Sequence, residues 1–349
     1  EFVPWTEKIW GYAYSFYYLN FFAGIIGTIG LVSVLLYSIQ LFMTSAISTG
    51  ELVMILGFVT AFYDKLFRLL YQFRDVFKQS TDLEKFFSVL DESETVLDPK
   101  HPITMEKVSG DISFDSVHFS YPDGKEHAVH DMSLNISAGE SIAFVGPSGA
   151  GKTTLTKLLL RLFDPDSGTI SIDGVDIKDM EKTHLRSHIG VVPQEPILFN
   201  ASIGFNIGYG LDQVSQAQIE EAATLAQLHD FILTLPDGYE TQVGERGVKL
   251  SGGQKQRLAI ARMILSKPEI IIFDEATSQL DSESEKLIQK AFWKVSKNIT
   301  TLIIAHRLST VKKADRIVVI DDGKIVEQGP HTRLLQKKGR YKKLWDLQS

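Results

Sequence analysis

The stretch GPSGAGKTT, residues 146–154, decides the fold of this chain. It fits the P-loop pattern, in which glycines let backbone amides curl around phosphates, a lysine binds the β and γ phosphates, and a hydroxyl binds Mg²⁺. By chance, the pattern would occur in roughly one of 100 chains of this length and glycine content. The residues expected to contact a nucleotide are Gly146, Pro147, Ser148, Gly149, Ala150, Gly151, Lys152, Thr153 and Thr154.

Short apolar runs on both sides of this motif predict a parallel β-sheet. Runs that are apolar throughout are typical of strands buried on both faces, and the stretches between them favour covering helices. Two Asp-Gly pairs, at 173–174 and 322–323, are typical of hairpin turns. We therefore predict an α/β domain that begins near Val108, with strands at IAFV 142–145, IGVV 189–192, IIIF 270–273, LIIA 302–305 and IVVI 317–320.

Two carboxylates directly follow the run IIIF. Asp274 is placed to organise Mg²⁺, and Glu275 is placed to orient or deprotonate an attacking water. A solvated turn is the ordinary alternative for an Asp-Glu pair at the end of a strand. The P-loop and the wholly apolar strand favour a catalytic pair.

A second phosphate site is predicted at LSGGQKQR, residues 250–257. Ser251 is a typical N-cap residue, and Gly252 and Gly253 follow it at the start of a predicted helix. The beginning of a helix binds anions through its backbone amides. Because the P-loop already surrounds the phosphates from one side, we expect this site to close over ATP bound to another molecule. Two chains would then sandwich two nucleotides.

The N-terminal part of the chain contains its most apolar segment. No charged residue occurs between Lys8 and Glu51, and residues 16–39 are long enough for a bilayer core, which needs about 20 helical residues. A second apolar run, 52–63, is short for a span and soon meets charged residues. Basic residues flank the two runs but do not lie between them, which favours a hairpin with both ends in the cytoplasm. The alternative is one spanning helix followed by a buried amphipathic helix.

The domain organisation follows from these patterns. Apolar residues at helical spacing continue the second run as a long helix that leaves the membrane. Acidic residues, prolines and turn formers then interrupt it. We predict a partial transmembrane domain at 1–90, with helices at about 12–43 and 51–90, a linker at 91–107 and an α/β domain at 108–349.

Composition excludes several classes of function. The net charge of -7 is spread over mixed-sign segments without a basic block, so we expect no nucleic-acid partner. The absence of cysteine excludes disulfides, thiol catalysis and cysteine metal sites. His184 and His188 have the spacing of a zinc pair but no apparent third ligand, so we interpret them as structural or surface residues.

From about Asp111 to its end the chain resembles the nucleotide-binding domain of ATP-binding cassette (ABC) transporters. LSGGQ matches the signature motif of that family and accompanies the P-loop and IIIFDE. The resemblance implies that Tyr121, in FSYP, stacks on adenine, and that Gln194, in VVPQEPILF, touches Mg²⁺ and faces the membrane domain. It implies that Asp281, in SQLD, lies in a loop crossing the dimer interface and that His306, in IIAHRLST, contacts the γ-phosphate. Without the resemblance, strand packing and helix capping would explain Tyr121 and His306.

The resemblance thus implies a complete site for ATP and Mg²⁺. The catalytic residues are Lys152, Glu275 and His306. The Mg²⁺ ligands are Thr153, Gln194 and Asp274. The contacts that belong to the dimer interface come from Ser251, Gly252, Gly253, Gln254 and Asp281.

TQVGERG, residues 241–247, resembles a segment with which exporter-type domains touch intracellular loops. The N-terminal hairpin resembles the last two of the six membrane helices of such exporters. The expected fold is therefore an α-helical transmembrane segment, the end of a six-helix exporter domain, followed by an α/β P-loop NTPase domain of ABC type with a helical subdomain. The chain begins at Glu1 with two candidate spans, so we expect it to be the C-terminal part of a longer half-transporter. Gln279 departs from the alanine that is usual in the family.

The expected function is ATP-driven export across a membrane. The expected partners are a second half-transporter chain, identical or different, a lipid bilayer and a transported substrate. We expect an integral protein of a bacterial plasma membrane with its nucleotide-binding domain in the cytoplasm. The alternatives are a non-transporting ABC ATPase that acts on nucleic acid or the ribosome, and an ATP-gated channel or regulator. Hydrophobic compounds, lipids, peptides and conjugated thiols remain open as substrates.

Overall fold

The computed structural model describes residues 3–91, 94–122, 124, 128–244, 249–274, 282–305 and 308–347. Their contacts divide the chain into two compact units, Glu1–Ser93 and Glu94–Ser349. The described part of the first unit consists of helices and the turn that connects them, and the second unit contains all the described strands.

The first unit is a hairpin of two long helices, α1 (Val3–Met43) and α2 (Thr49–Leu90). α1 begins before the predicted start at about residue 12. Pro4 does not prevent this, because the first turn of a helix does not need its missing N–H. α2 begins with a capping box, in which the Ser48 hydroxyl accepts from the Glu51 amide at 3.3 Å and the Glu51 carboxylate accepts from the Ser48 amide at 2.7 Å.

One stretch among the described residues is long and apolar enough to cross a membrane. It is Asn20–Met43 in α1, with a mean hydropathy of 2.1. The apolar part of α2, Thr49–Tyr63, is shorter, because Asp64, Lys65 and later charges end it. By length and composition one span is therefore supported among the described residues, and the second span, in α2, stays a prediction.

The second unit is built on β-strands in two main sheets. The described strands are β1 (Ile112–Phe119), β2 (Val129–Ile136), β3 (Ser141–Val145), β4 (Ser167–Ile172), β5 (Val175–Asp176), β6 (Ile189–Val192), β7 (Ala201–Ser202), β8 (Gln242–Val243), β9 (Ile270–Asp274), β10 (Thr300–Ile304), β11 (Arg316–Asp321) and β12 (Lys324–Gly329). β7 and β8 form a separate antiparallel pair.

The larger sheet confirms the predicted parallel core. Its order is β12-β11-β3-β10-β9-β6, and β11, β3, β10, β9 and β6 pair in parallel. These are the five strands predicted from apolar runs, although β10 ends at Ile304 rather than at residue 305. The edge strand β12 returns antiparallel to β11 through the predicted Asp322-Gly323 turn, at which φ is +50° and +70°.

The smaller sheet is antiparallel, with the order β2-β1-β4-β5. The sequence did not predict it. Its strands alternate buried and more exposed side chains, and β1 contains a bulge between Phe114 and Val117, so their apolar pattern is interrupted. The predicted turn at Asp173-Gly174 is confirmed, since it joins β4 to β5 with φ of +49° and +80°.

The helices of the second unit cover the larger sheet on both faces. They are α3 (Lys152–Leu159), α4 (Lys182–Ser187), α5 (Ile203–Gly208), α6 (Gln216–Leu225), α7 (His229–Leu233), α8 (Gly252–Ser266), α9 (Ser282–Val295), α10 (Leu308–Val311), α11 (His331–Lys337) and α12 (Arg340–Asp346). One core cluster joins β9 to α5–α9 and includes Leu258 and Phe292. The other joins the two sheets and α3, and includes Phe114, Phe144 and Leu155.

The segment 94–105, here called the strap, is held on the second unit. Arg161, which is 3% exposed, donates to the carbonyl of Leu97 at 2.7 Å. Lys182 donates through Nζ to the carbonyl of Val96 at 2.7 Å. These residues were predicted as part of a linker, and their backbone is bonded to the surface of the domain.

Candidate functional site

The P-loop connects β3 to α3 and contains two glycines, Gly146 and Gly151, whose surroundings leave no room for a side chain. A Cβ at Gly146 would lie 2.1 Å from the carbonyl oxygen of Ile320 in β11. Gly151 is the N-cap of α3 with φ of +98°, and a Cβ there would lie 2.5 Å from the carbonyl oxygen of Ala128. Glycine at both positions is therefore required by the fold as well as by the expected approach of phosphate.

Lys152 lies inside the curve of this loop. It is the first residue of α3, is 5% exposed, and donates through Nζ to the carbonyls of Gly146 and Pro147 at 3.0 and 2.8 Å. Thr153 follows it and is half-buried. A phosphate in the loop would meet the lysine ammonium and the amino end of α3, both of which attract anions. On the loop itself Pro147, Ser148 and Gly149 are exposed and Ala150 is buried.

Tyr121 is placed beside the P-loop helix. Its hydroxyl lies 3.3 Å from the Thr154 hydroxyl. Its ring meets Phe119 and Phe163 edge to face, with centroids 5.0 and 5.3 Å apart, and the Lys157 ammonium lies 5.5 Å from the ring centre. The ring is partly exposed, so the packing that supports it leaves surface for a further stacking partner. Phe163 and Lys157 were not singled out in the sequence.

The predicted metal ligands follow strands that end at the same edge of the parallel sheet. In the strand order β3-β10-β9-β6, Ile304 is paired with both Phe144 and Asp274, and Phe273 is paired with Val192. Asp274 is half-buried at the end of β9, and Gln194 follows β6 and is exposed. The hydroxyl, carboxylate and amide oxygens of Thr153, Asp274 and Gln194 are the hard donors that suit Mg²⁺.

The helix α8 begins as predicted. Ser251 is its N-cap, and it forms a capping box with Gln254: the Ser251 hydroxyl accepts from the Gln254 amide at 3.3 Å, and the Gln254 side chain accepts from the Ser251 amide at 2.7 Å. Ser251 and Gly252 are exposed, whereas Gly253 is buried. A Cβ at Gly253 would lie 2.6 Å from the Ser284 hydroxyl of α9, so this glycine also lets two helices pack closely.

Three predicted site residues lie outside the described residues. They are Glu275 and Asp281, in 275–281, and His306, in 306–307. Gln279, which departs from the family, and residues 245–247 of the TQVGERG segment also lie outside them. The strands before Glu275 and His306, β9 and β10, are adjacent and parallel.

The histidine pair has other partners than a metal. His184 accepts through Nε2 from the Met105 amide at 3.0 Å, and Nδ1 of His188 lies 2.9 Å from a carboxylate oxygen of Glu269. Within the described residues, no group of three or more His, Cys, Asp and Glu side chains is arranged to hold a metal ion.

Gln256 is a residue of this region that the sequence analysis missed. It is 3% exposed and donates to the carbonyls of Pro193 and Gln194 at 3.1 and 2.6 Å. The signal was available, because Gln256 occupies the same helical face as the buried Ile260 and Met263. A glutamine in that apolar stripe calls for a specific partner.

Comparison with known proteins finds extensive similarity. Residues 129–278 match the family model described as ABC transporter. The chain is 44% identical over 339 residues to ATP-binding cassette sub-family B member 6 of Mesocricetus auratus, covering 97% of this chain and 40% of that protein. It is 42% identical over 303 residues to the putative multidrug export ATP-binding/permease protein YgaD of Bacillus subtilis, covering 87% of this chain and 52% of that protein.

A solved structure is similar over almost the whole chain. It is a bacterial Atm1-family ABC exporter with ATP bound, with a TM-score of 0.71 and 39% sequence identity. The match covers 96% of this chain and 58% of that chain. The chain thus spans 40% to 58% of the length of these three relatives.

Proposed function

Because this chain belongs to the ABC transporter family, we propose that it hydrolyses ATP with Mg²⁺ to drive export of a substrate across a membrane. Its domains are a partial transmembrane domain and an ABC-type ATPase domain. The relatives come from animals, a protozoan and bacteria, and the bacterial plasma membrane expected from the sequence stays a prediction. We place the ATPase domain on the cytoplasmic side.

One observation carries the ATPase proposal. Segments that are far apart in the sequence leave the same edge of the parallel sheet: the P-loop after β3, Asp274 at the end of β9, Gln194 after β6, and the segment after β10. Ligand sites of open α/β sheets lie outside the carboxyl ends of their strands. A buried lysine in the P-loop and a carboxylate two strands away are the chemistry that a nucleotide phosphate with its metal requires.

Each residue of the proposed site has its own role in binding or hydrolysing ATP. Lys152 and the amides of the P-loop orient the phosphates, and Tyr121 stacks on the base. Thr153, Gln194 and Asp274 would hold Mg²⁺, which neutralises charge on the β and γ phosphates. Glu275 orients the attacking water and accepts its proton, and His306 contacts the γ-phosphate.

A second chain completes the site. The start of α8, where Ser251 and Gly252 are exposed and the buried Gly253 follows, would bind an anion through its backbone amides. Gln254 supports that start through the capping box, and Asp281 lies in the loop that crosses between the chains. ATP drawn between the P-loop of one chain and α8 of another brings the two domains together, and hydrolysis releases them.

Export follows from the membrane helices. We propose that α1 crosses the bilayer through Asn20–Met43 and that closure of the ATPase domains switches the membrane domain from inward-facing to outward-facing. The substrate is a hydrophobic compound, a lipid or a peptide, carried once per cycle. Residues that select it lie largely in helices that precede this sequence, since the match to the exporter structure covers 58% of that chain. An intact mass of the native product well above that of these 349 residues is expected.

The first test uses Lys152→Ala in the full-length protein reconstituted into lipid vesicles. Loss of the ammonium from the P-loop should weaken ATP binding by about tenfold or more, because a charge-assisted contact with phosphate contributes roughly 1.5–3 kcal/mol. The matched control is Lys290→Ala, which removes an exposed lysine of α9. Unchanged ATP affinity of Lys152→Ala would contradict the P-loop assignment.

The second test uses Glu275→Gln in the same vesicles. This variant should bind ATP normally but hydrolyse it roughly 10²–10³-fold more slowly, because the amide cannot accept the proton of the attacking water. It should therefore accumulate as a closed dimer, which cross-linking detects. Rapid steady-state hydrolysis by this variant would remove Glu275 from its role. Wild-type vesicles that hydrolyse ATP without moving any tested compound, lipid or peptide would instead favour a non-transporting ATPase.

A further inference from the structure

The Gln256 side chain lies buried between α8 and the segment that follows β6. Its Nε2 atom donates to two consecutive carbonyl oxygens, those of Pro193 at 3.1 Å and Gln194 at 2.6 Å. The orientation of the amide is fixed by chemistry, because the reverse orientation would place its own oxygen against two acceptors. One amide of α8 therefore holds the backbone at Gln194.

The stabilisation from these two bonds is offset by the other end of the same amide. The other polar atom of the side chain, Oε1, is buried and has no hydrogen-bond partner in the described part of the chain. A buried acceptor without a partner costs about as much as two ordinary hydrogen bonds contribute. The neighbouring Ala259, Ile260 and Met263 are apolar and buried, so an apolar side chain at 256 would also pack. The amide is better explained by what it positions.

The two ends of this connection belong to different halves of the proposed ATP site. Gln194 is a proposed Mg²⁺ ligand on the chain that holds the nucleotide, and α8 begins with Ser251 and Gly252, the proposed contacts to the nucleotide of the second chain. Pro193 adds stiffness between β6 and Gln194, because its ring fixes φ. A displacement of α8 would therefore also move the backbone at Gln194, because the amide of Gln256 is bonded to it.

We propose that Gln256 is a positioning residue of the ATPase reaction: it joins the segment of Gln194 to the start of α8, so that the two move together. The inference rests on the proposed ATPase function and adds a residue to it. Gln256 touches neither ATP nor the metal. Its contribution is to bring Gln194 into place when α8 closes on a nucleotide.

The test is Gln256→Met in the full-length protein in lipid vesicles. Methionine keeps the length of the side chain and fills the same space but cannot donate to the carbonyls. The matched control is Gln289→Met, which makes the same change at a part-buried glutamine of α9 bonded to Glu285 at 2.9 Å. We expect kcat to fall about tenfold or more in Gln256→Met only, because misplacement by about 1 Å has effects of this size. KM for ATP should stay within about twofold, because the P-loop contacts are unchanged.

A second readout reports the position of the loop directly. These 349 residues contain no cysteine, so cysteines introduced at the exposed Glu195 and at the exposed Glu221 of α6, which packs on α8, take spin labels selectively once any cysteine in the rest of the full-length protein is replaced by serine. In the wild-type chain and in Gln289→Met the distance between the labels should have a narrow distribution. In Gln256→Met it should broaden, while the melting temperature stays within about 4 °C of the wild type.

The outcomes are distinct. An unchanged kcat together with an unchanged distance distribution would overturn the role of Gln256. A large fall in melting temperature without broadening would also overturn it, because the residue would then be structural. Wild-type protein without ATPase activity would refute the proposed function, and the label distances would still decide whether Gln256 holds the loop to α8.

Discussion

The two units of the chain differ in where they keep their large apolar side chains. In the helical hairpin, Ile26, Ile29 and Phe58 are 71%, 61% and 68% exposed. In the second unit, Phe144 and Phe292 are at most 1% exposed. Exposing apolar surface to water costs about 25 cal/mol per Å². An exposed apolar surface as large as that of the hairpin therefore marks a site of contact with lipid or protein. The second unit buries its own core, whereas the hairpin depends on its surroundings.

The units also differ in how they satisfy polar side chains. In α1, the hydroxyls of Thr28, Ser33 and Ser38 donate to carbonyls four residues earlier in the same helix, at 2.7–2.8 Å. In the second unit, the fully buried Asn206 accepts from the Phe199 amide at 2.8 Å and donates to its carbonyl at 3.1 Å. A helix in lipid has to satisfy its polar groups internally, whereas a folded domain can use other segments.

The largest expected effect comes from separating the units. A fragment of residues 94–349 should fold cooperatively and stay in solution, because its core is buried within it. Residues 1–93 should need detergent or vesicles, because many of the large apolar side chains that the structure describes there are exposed. Sedimentation and circular dichroism of the two fragments check this all-or-none difference.

A shorter fragment, residues 106–349, is the matched comparison for this experiment. It lacks the strap and with it the bonds from Arg161 and Lys182 to Leu97 and Val96. It should remain folded but melt at a lower temperature, because buried Arg161 loses an acceptor. Aggregation of the 94–349 fragment would contradict the comparison, since the second unit would then depend on the hairpin.

The next largest effect is expected from a substitution that tests how rigid the second unit is. Gly146→Ala places a methyl group 2.1 Å from the carbonyl oxygen of Ile320, so β11 or the P-loop has to shift. We expect a loss of about 2–4 kcal/mol of unfolding free energy, measured by denaturant unfolding of the 94–349 fragment. Gly149→Ala is the control, because Gly149 has φ of +80° but no atom within 4 Å of the added methyl, and should cost only about 1–2 kcal/mol. Equal losses of unfolding free energy in the two variants would show that the backbone at Ile320 moves away from the added methyl group at little cost.

The sequence predicts those parts of the fold whose physical signal is local. The five parallel strands are apolar throughout, the Asp-Gly pairs adopt the positive φ that two-residue hairpins need, and Ser251 caps α8. The antiparallel sheet was missed because its strands are exposed on one side and β1 is bulged. The placement of Glu275, Asp281 and His306 stays a prediction.

Long-range contacts explain what else the sequence left open. The roles of Gln256 and Arg161 depend on carbonyls at Gln194 and Leu97, which are more than 60 residues away. Every residue has a backbone carbonyl with the same chemistry, so the sequence does not indicate which carbonyl will accept the hydrogen bond. The clue is indirect and consists of a polar residue at a buried helical position.

A smaller effect concerns two buried tyrosines of the second unit, Tyr341 and Tyr239. Burial raises the pKa of Tyr341 to about 12, and its hydroxyl lies 2.8 Å from Nδ1 of His331. An unfolded tyrosine loses its proton near pH 10, so between pH 10 and 12 the unfolded state binds fewer protons and stability should fall as pH rises. Tyr341→Phe should cost about 1 kcal/mol at pH 7 and lose less stability above pH 10. Tyr239, whose pKa burial and Glu220 raise to about 12, supplies the matched Tyr→Phe variant.

The smallest effect is expected from alanine substitutions at two glycines of the hairpin, which are compared with Gly146→Ala in the second unit. A Cβ at Gly30 would lie 2.1 Å from the Tyr63 hydroxyl oxygen, the same distance as at Gly146, whereas Gly24 has no atom within 4 Å. The Tyr63 hydroxyl is the far end of a flexible side chain and can move, but the Ile320 carbonyl belongs to a strand within a sheet. Gly24→Ala should therefore gain about 0.5–1 kcal/mol from helix propensity, and Gly30→Ala should differ from it by less than about 1 kcal/mol. Thermal unfolding of the full-length protein in detergent measures both, and a loss at Gly30 as large as that at Gly146 would show that the helix pair is packed as rigidly as the ATPase core.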